Sequence, residues 1–522
     1  MIAPEDGSPV QSGAWSGAWS GAAQAPLIEP TPLPAVTVGM LTRRAAQIGW
    51  VAVRHLASFP RRRRRAVRGA PALQVMGPSL RSAAEELGVT FVKLGQLLAS
   101  SPSVAGEHLS DAMRGLLDNG PAVDFPELRR VVEEDLGATF DTVFSQFDPH
   151  PHAAASLAVV HRARLADGRP VAVKILRPGA DRAVAADLAI ISRAFRFLAR
   201  QLPVGMVASL PGAVEGLAEQ LAEELDLRNE ARSMEWFRDL MEVIGVGGVR
   251  IPSVYAAASG RRVLTMEFIA GHPVDDLSAV ERLGIDARRA LEDLLHAWFA
   301  VTLCTGTFHG DMHAGNLLFT EEGPVALLDW GILGRMSPES RHFLRRSIEG
   351  ALGDESAWAD VRAHVMPSMG ADVTRLTGMS EDEVFAMVRA QIEAIMTAPF
   401  RDLNLMALAP TSATVSGGAE VVGGSRRARL ARVLAERRRV RGLGGLPDRP
   451  VDRGELLLVK QLVFFERHGK MFLADSPLIW DRAVFQALLA LPESGPGYAG
   501  PRPIGSDHRA SDDAELEEVI AT

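Results

Sequence analysis

The segment FHGDMHAGNLLF, residues 308 to 319, sets two histidines, two glycines, an aspartate and an asparagine between two phenylalanines. Asp311 and Asn316 stand five residues apart, and a second acid, Asp329 in ALLDWG, follows thirteen residues after the amide. Phosphoryl transfer from ATP asks a protein for metal ions, charge neutralisation and an oriented nucleophile more than for covalent chemistry. An Asp-x-x-x-x-Asn loop followed by Asp-x-Gly supplies those parts. The first acid orients or deprotonates an acceptor hydroxyl, while the amide and the second acid offer hard oxygen ligands to Mg²⁺. Asp311, Asn316 and Asp329-Trp330-Gly331 fit that order, and VAVK places Lys174 upstream, where a strand lysine meets the α- and β-phosphates. Each motif is weak by itself; the three in sequence point to ATP chemistry. His309 and His313 have an i, i+4 metal-like spacing, but they lack a HExxH glutamate and sit beside glycines unsuited to a helix, so zinc is only the alternative.

A chain of 522 residues, 47% hydrophobic, is long enough for two or three domains. Its net charge of −8 and pI near 6 argue against general nucleic-acid binding. The lone cysteine, Cys304, excludes an intramolecular disulfide, suits a reducing cytosol and lies in an apolar run as a buried thiol would. The first residues do not read as a secretory signal, and no apolar run of eighteen or more predicts a spanning helix. Lysine is rare: of 56 basic residues only Lys93, Lys174, Lys460 and Lys470 are not arginine. A lysine kept against that bias marks a place where a compact ammonium serves and a planar fork does not.

The elements that must position these groups divide the chain. Residues 1–35 read as a disordered low-complexity tail, and 36–75 as an apolar and basic segment with the run Arg61 to Arg65, suited to an anionic membrane interface or to a plain surface helix. Residues 76–150 have a helical pattern. Residues 151–270 hold strands over LAVVHRARL and PVAVKIL, helices over 182–202 and 214–243, and strands near 253–255 and 262–268. Residues 271–491 are mostly helical, with a flexible Gly- and Arg-rich insertion about 411–450, and 492–522 form an acidic tail. This order predicts a two-lobed α+β protein, which the resemblance given below makes a protein-kinase-like fold with a helical N-terminal extension. The adenine hinge falls at Met266, Glu267, Phe268 and Ile269, where TMEFI ends the last small-lobe strand.

From about Ser79 to Leu491 the chain resembles the UbiB/AarF family of atypical protein-kinase-like proteins. FVKLGQ contains the K-x-G-Q signature at Lys93, Gly95 and Gln96. HAAASLAVVHRA, with Ala153, Ala154, Ala155 and Ser156, is similar to the alanine-rich loop that replaces a kinase glycine-rich loop. EELDLRNEA contains the E-x-D signature at Glu224 and Asp226, with Glu230 one turn beyond. The resemblance implies that Glu230 pairs with Lys174, and that the extension carrying Lys93 and Gln96 crosses the nucleotide cleft near Glu224 and Asp226. That arrangement favours ATPase or small-molecule chemistry over protein phosphorylation. The chain departs from the family pattern at Leu157-Ala158-Val159 and at ASSPSVAG, which lowers the expected turnover.

The implied activity is an ATP- and Mg²⁺-dependent kinase or ATPase supporting isoprenoid-quinone or other lipid metabolism. A phosphotransferase like the aminoglycoside and choline kinases, and a nucleotide-responsive scaffold, are the alternatives. The expected partners are a nucleotide, an isoprenoid lipid or anionic membrane surface, and a second copy of the chain or lipid-biosynthesis proteins. The expected location is the cytoplasm, peripherally at a membrane.

Overall fold

The computed structural model describes residues 28–57, 72–100, 113, 123–154, 157–201, 210–377, 379–403 and 453–491. Its small lobe is an antiparallel sheet of β1 (Phe144–Phe147), β2 (Ala153–Ala154), β3 (Ala158–Leu165), β4 (Pro170–Leu176) and β6 (Val263–Glu267), in the order β1-β3-β4-β6 with β2 beside β3. Residues 171–176 of β4 are all buried because helices cover both faces of the sheet. Val171, Val173 and Ile175 pack against Leu128, Val131 and Val132 of α4 (Phe125–Leu136). Ala172 and Leu176 instead share a core with Leu227 and Met234 of α7 (Leu227–Val243). By the period of two, Lys174 shares the face of Ala172 and Leu176 and is aimed at α7.

The N-terminal extension consists of α1 (Val38–Leu56), α2 (Ala72–Leu87) and α3 (Val89–Ser100), which pack on α5 (Ala180–Gln201) and α6 (Leu210–Glu224). Arg44 fastens it. Its guanidinium donates to both carboxylate oxygens of buried Asp187 at 2.6 and 2.8 Å, and to the Leu87 carbonyl at 2.6 Å.

In the large lobe, α8 (Ala287–Thr305) is the central helix, with Asp286 as N-cap and Gly306, at φ 71°, closing its end. An N-cap carboxylate of this kind is worth about 1 kcal/mol. Against it pack α9 (Pro338–Ala351), α12 (Arg453–Phe472) and α13 (Arg482–Ala490), while α10 (Ala357–Thr377) and α11 (Glu381–Thr397) pack on α9. Two small sheets frame the catalytic-looking loop. β8 (Thr307–His309) pairs with β11 (Leu333–Arg335), and β9 (Leu317–Phe319) lies between β7 (His272–Pro273) and β10 (Val325–Leu327), which also pairs with β5 (Val249–Arg250). The fold is thus the expected α+β, kinase-like one with N-terminal helices.

Several boundaries differ from the sequence expectations. Residues 28–35, expected in the disordered tail, hold ordered contacts: Thr31 is buried and donates to the Ala222 carbonyl, while Asn229 bonds Glu29. The expected helix over 214–243 breaks at Leu225–Asp226, where Asp226 takes an extended conformation and caps α7. Residues 144–147, expected helical, form β1. Near 253–255 there is only an isolated bridge between Val254 and Met266. The 1–27 part of the tail, Arg61 to Arg65, the 411–450 insertion and the 492–522 tail lie outside the described residues.

Candidate functional site

β4 delivers Lys174 to the cleft. Its ammonium donates to both oxygens of Glu230 at 2.8 Å each, and to Asp329 Oδ2 at 3.1 Å. Glu230 lies in the first turn of α7, so the Asp226 cap that starts the helix also sets the position of this acid. Burial drives the Lys174 ammonium down, and the carboxylates of Asp329 and Glu230 more than reverse it, holding the group above the usual lysine range. Burial pushes the Glu230 carboxyl up, to about 7, against the pull of Lys174.

Asp329 is presented by a tight turn. Its Oδ1 accepts from the Gly331 amide at 3.0 Å, and a Cβ on Gly331 would stand 3.3 Å from that oxygen. Burial raises the Asp329 carboxyl, but Lys174 and the Gly331 N–H outweigh it and keep the acid below its ordinary range. Trp330 between them is buried; its indole N–H donates to the Leu327 carbonyl at 2.9 Å and its amide to Glu230 at 3.3 Å.

In the neighbouring loop, the Asn316 amide donates to the Asp311 carbonyl at 3.0 Å, which leaves its side-chain oxygen as the group for a cation. His309 is buried; its Nδ1 accepts from the Asp311 amide, so its Nε2–H donates to the Asp329 carbonyl. His313 Nδ1 accepts from the Gly315 amide at 3.1 Å. His309 therefore has both nitrogens occupied, and the described residues contain no cluster of three or more His, Cys, Asp or Glu that could hold a metal ion. The histidines shape the loop.

The sequence reading overlooked one residue in this place. Lys460, on α12, donates to Asp311 Oδ1 at 2.5 Å, and its neighbour Gln461 accepts from the Met312 amide at 3.1 Å. Burial pushes the Asp311 carboxyl up, while Lys460, Lys93 and His313 overcome it and hold the acid well below the usual carboxylate range. No local motif marks Lys460; the scarcity of lysine was the available signal.

The K-x-G-Q helix reaches the same cleft. Buried Lys93 donates to Glu224 Oε1 at 2.9 Å, and Gln220 donates to the same oxygen at 2.8 Å. The Glu224 Cγ would lie 4.0 Å from a Cβ on Gly331, which sets this pair against the Asp-Trp-Gly turn. Gly95 is buried and Gln96 half-buried on the same helix.

The Asp226 carboxylate accepts from the Arg228 amide and guanidinium as the cap of α7, because its extended backbone directs the side chain at its own helix. In the expected hinge, Glu267 is turned to Arg250, at 2.6 Å, while Met266 and Ile269 are buried and Phe268 stacks under the Arg162 guanidinium. Ala153 and Ala154 form β2, opposite Val160 and Val159, whereas Ala155 and Ser156 lie outside the described residues.

Comparison with known proteins agrees with this geometry. The ABC1 atypical kinase-like domain matches residues 115–359. An Arabidopsis thaliana protein described as an uncharacterized chloroplastic aarF domain-containing protein kinase is 32% identical over 414 residues, covering 78% of this chain and 73% of that one. An uncharacterized Mycobacterium tuberculosis protein is 39% identical over 314 residues, 59% of this chain and 63% of that one. A Cellvibrio japonicus protein described as a probable protein kinase UbiB is 31% identical over 342 residues, 63% of this chain and 59% of that one. The chain thus matches less than two thirds of the length of the mycobacterial and Cellvibrio relatives.

Proposed function

Because the chain belongs to the UbiB/AarF family of atypical kinase-like proteins, we propose that it binds Mg-ATP and either hydrolyses it or transfers its terminal phosphoryl group to a small or lipid acceptor. The observation that carries the reading is the closed ion cluster in which Lys174 holds Glu230 and Asp329 at once. In this reading Lys174 gives its charge to the α- and β-phosphates, and Glu230 keeps the ammonium in place. Asn316 and Asp329 fit Mg²⁺, since one offers an amide oxygen and the other a carboxylate held ionised. The ion, when bound, would neutralise the phosphate oxygens. Asp311, held ionised by two ammoniums, orients an acceptor hydroxyl or water more readily than it takes a proton. The Lys93–Glu224 bridge across the Asp-Trp-Gly turn favours water or a small acceptor over a protein segment.

The role extends to isoprenoid-quinone or other lipid metabolism at a membrane surface. Among the described residues no helix is long and apolar enough to cross a membrane. A peripheral contact through α1 is supported by its exposed Val38, Trp50 and Val53.

Thermal unfolding with ATP or ADP, with and without Mg²⁺, tests the reading against Asp329→Asn. Nucleotide at ~100 times its Kd adds roughly 2.7 kcal/mol to the intact protein. That gain should require Mg²⁺ and vanish in the variant. An intact protein whose midpoint ignores nucleotide would rule the reading out.

A further inference from the structure

Three of the four lysines in this arginine-rich chain end in the one cleft, and the third of them, Lys460, has so far only the role of holding Asp311 ionised. Lys460 is placed by a rigid element. One turn on, Phe465 is fully buried against Trp298 with ring centroids 5.2 Å apart, and Phe464 is buried beside it. Gln461 is itself buried and joined to the catalytic-looking loop at Met312. The helix and the loop therefore keep a common register. The Lys460 side chain is nonetheless 43% exposed, against 9% for Lys174, so its ammonium meets Asp311 while remaining open to the cleft.

An ammonium carries three donors, and one carboxylate oxygen uses one of them. Charge in phosphoryl transfer spreads over the equatorial oxygens of the moving group, beside the acid that orients the acceptor. A compact cation bonded to that acid stands where this charge develops.

We propose that Lys460 is a terminal-phosphate contact of this site, so that it discriminates triphosphate from diphosphate and stabilises the group in flight. The inference rests on the Mg-ATP reading. In the step it assists, the bond from the γ-phosphorus to the bridging oxygen breaks with its electron pair leaving on ADP. A bond from the acceptor oxygen to phosphorus forms, and the acceptor proton passes to solvent. Lys460 keeps all its protons.

Calorimetric titration of the full chain with Mg-ATP and with Mg-ADP, for the native protein, Lys460→Met and Lys460→Arg, tests this. Lys460→Met should weaken Mg-ATP by about ten- to a hundredfold, the worth of a charge-assisted hydrogen bond, and leave Mg-ADP within about twofold. Lys460→Arg should recover part of the ATP preference, because the charge is kept but the shape is not. Equal weakening of both nucleotides in Lys460→Met, or an unchanged ratio, would overturn the inference while leaving the Mg-ATP reading intact. A native chain that binds neither nucleotide would remove both. Were Lys460→Met to fail to fold, an unchanged ATP-to-ADP ratio in Lys460→Gln, which removes the charge and keeps a polar chain, would overturn it alone.

Discussion

Two lysines hold acids in one site, and they do so in different solvents. Lys174 and Glu230 leave 9% and 4% of their side chains exposed, while Lys460 and Asp311 leave 43% and 19%. A buried pair cannot trade its partner for water, so each member is obliged to stay where the other is. A pair with an open side can be shared with a ligand at little cost to the fold. The small-lobe cluster thus fixes a geometry, and the large-lobe pair leaves a cation available. Lys93 and Glu224, at 10% and 13%, stand nearer the first kind.

The comparison is broken most sharply at Lys174. Lys174→Met strands Glu230 in the core and should cost about 3–5 kcal/mol of stability by urea unfolding. The double variant with Glu230→Gln should recover much of that loss, and additive losses would mean that the pair is not coupled. Lys93→Met should come next, at about 1–3 kcal/mol, because Glu224 keeps the Gln220 bond when the ammonium goes. For Lys460→Met the same measurement should change by less than about 1 kcal/mol, whatever happens to nucleotide binding. A stability loss as large as that of Lys174→Met would erase the distinction between the two pairs.

The smallest effect sharpens it through pH. His161, His296, His309 and His468 are all pushed below their ordinary value by burial. Below pH about 6.5 the unfolded chain binds protons on these imidazoles and the native state does not, so stability falls as pH drops from 7.5 to 5.5. Glu230 works in the other direction. With its native carboxyl raised to about 7, its contribution is present at low pH and is lost as pH climbs through that value. Asp187, also raised by burial, acts with Glu230 against the four imidazoles, and we expect the imidazoles to prevail, so that the melting temperature falls on acidification. Glu230→Gln should steepen the fall, and a melting temperature that is level from pH 7.5 to 5.5 would contradict the balance.

The parts of the site legible from sequence are those whose partners lie close along the chain. Asp311 and Asn316 share a loop, Asp329 follows one short hairpin, and Lys174 sits in a strand whose apolar run announces itself. The misreadings have local causes as well. The apolar period runs unbroken from 214 to 243, so the break at Leu225–Asp226 was invisible until the extended backbone of Asp226 showed it as a cap. That same turn gave Asp226 to Arg228, while Glu224 meets Lys93. Lys460 lies 149 residues from Asp311, so no spacing rule connects them.

What the residues settled by themselves is the chemistry on offer: which oxygens and ammoniums exist, in which order, and on strands, helices or loops. Short-range sterics and local hydrogen bonds suffice for that. Which acid each lysine holds, and whether water reaches the pair, was decided only when α3, α7 and α12 closed on the cleft. Burial and long-range packing set those terms, and both depend on every element that shares the core.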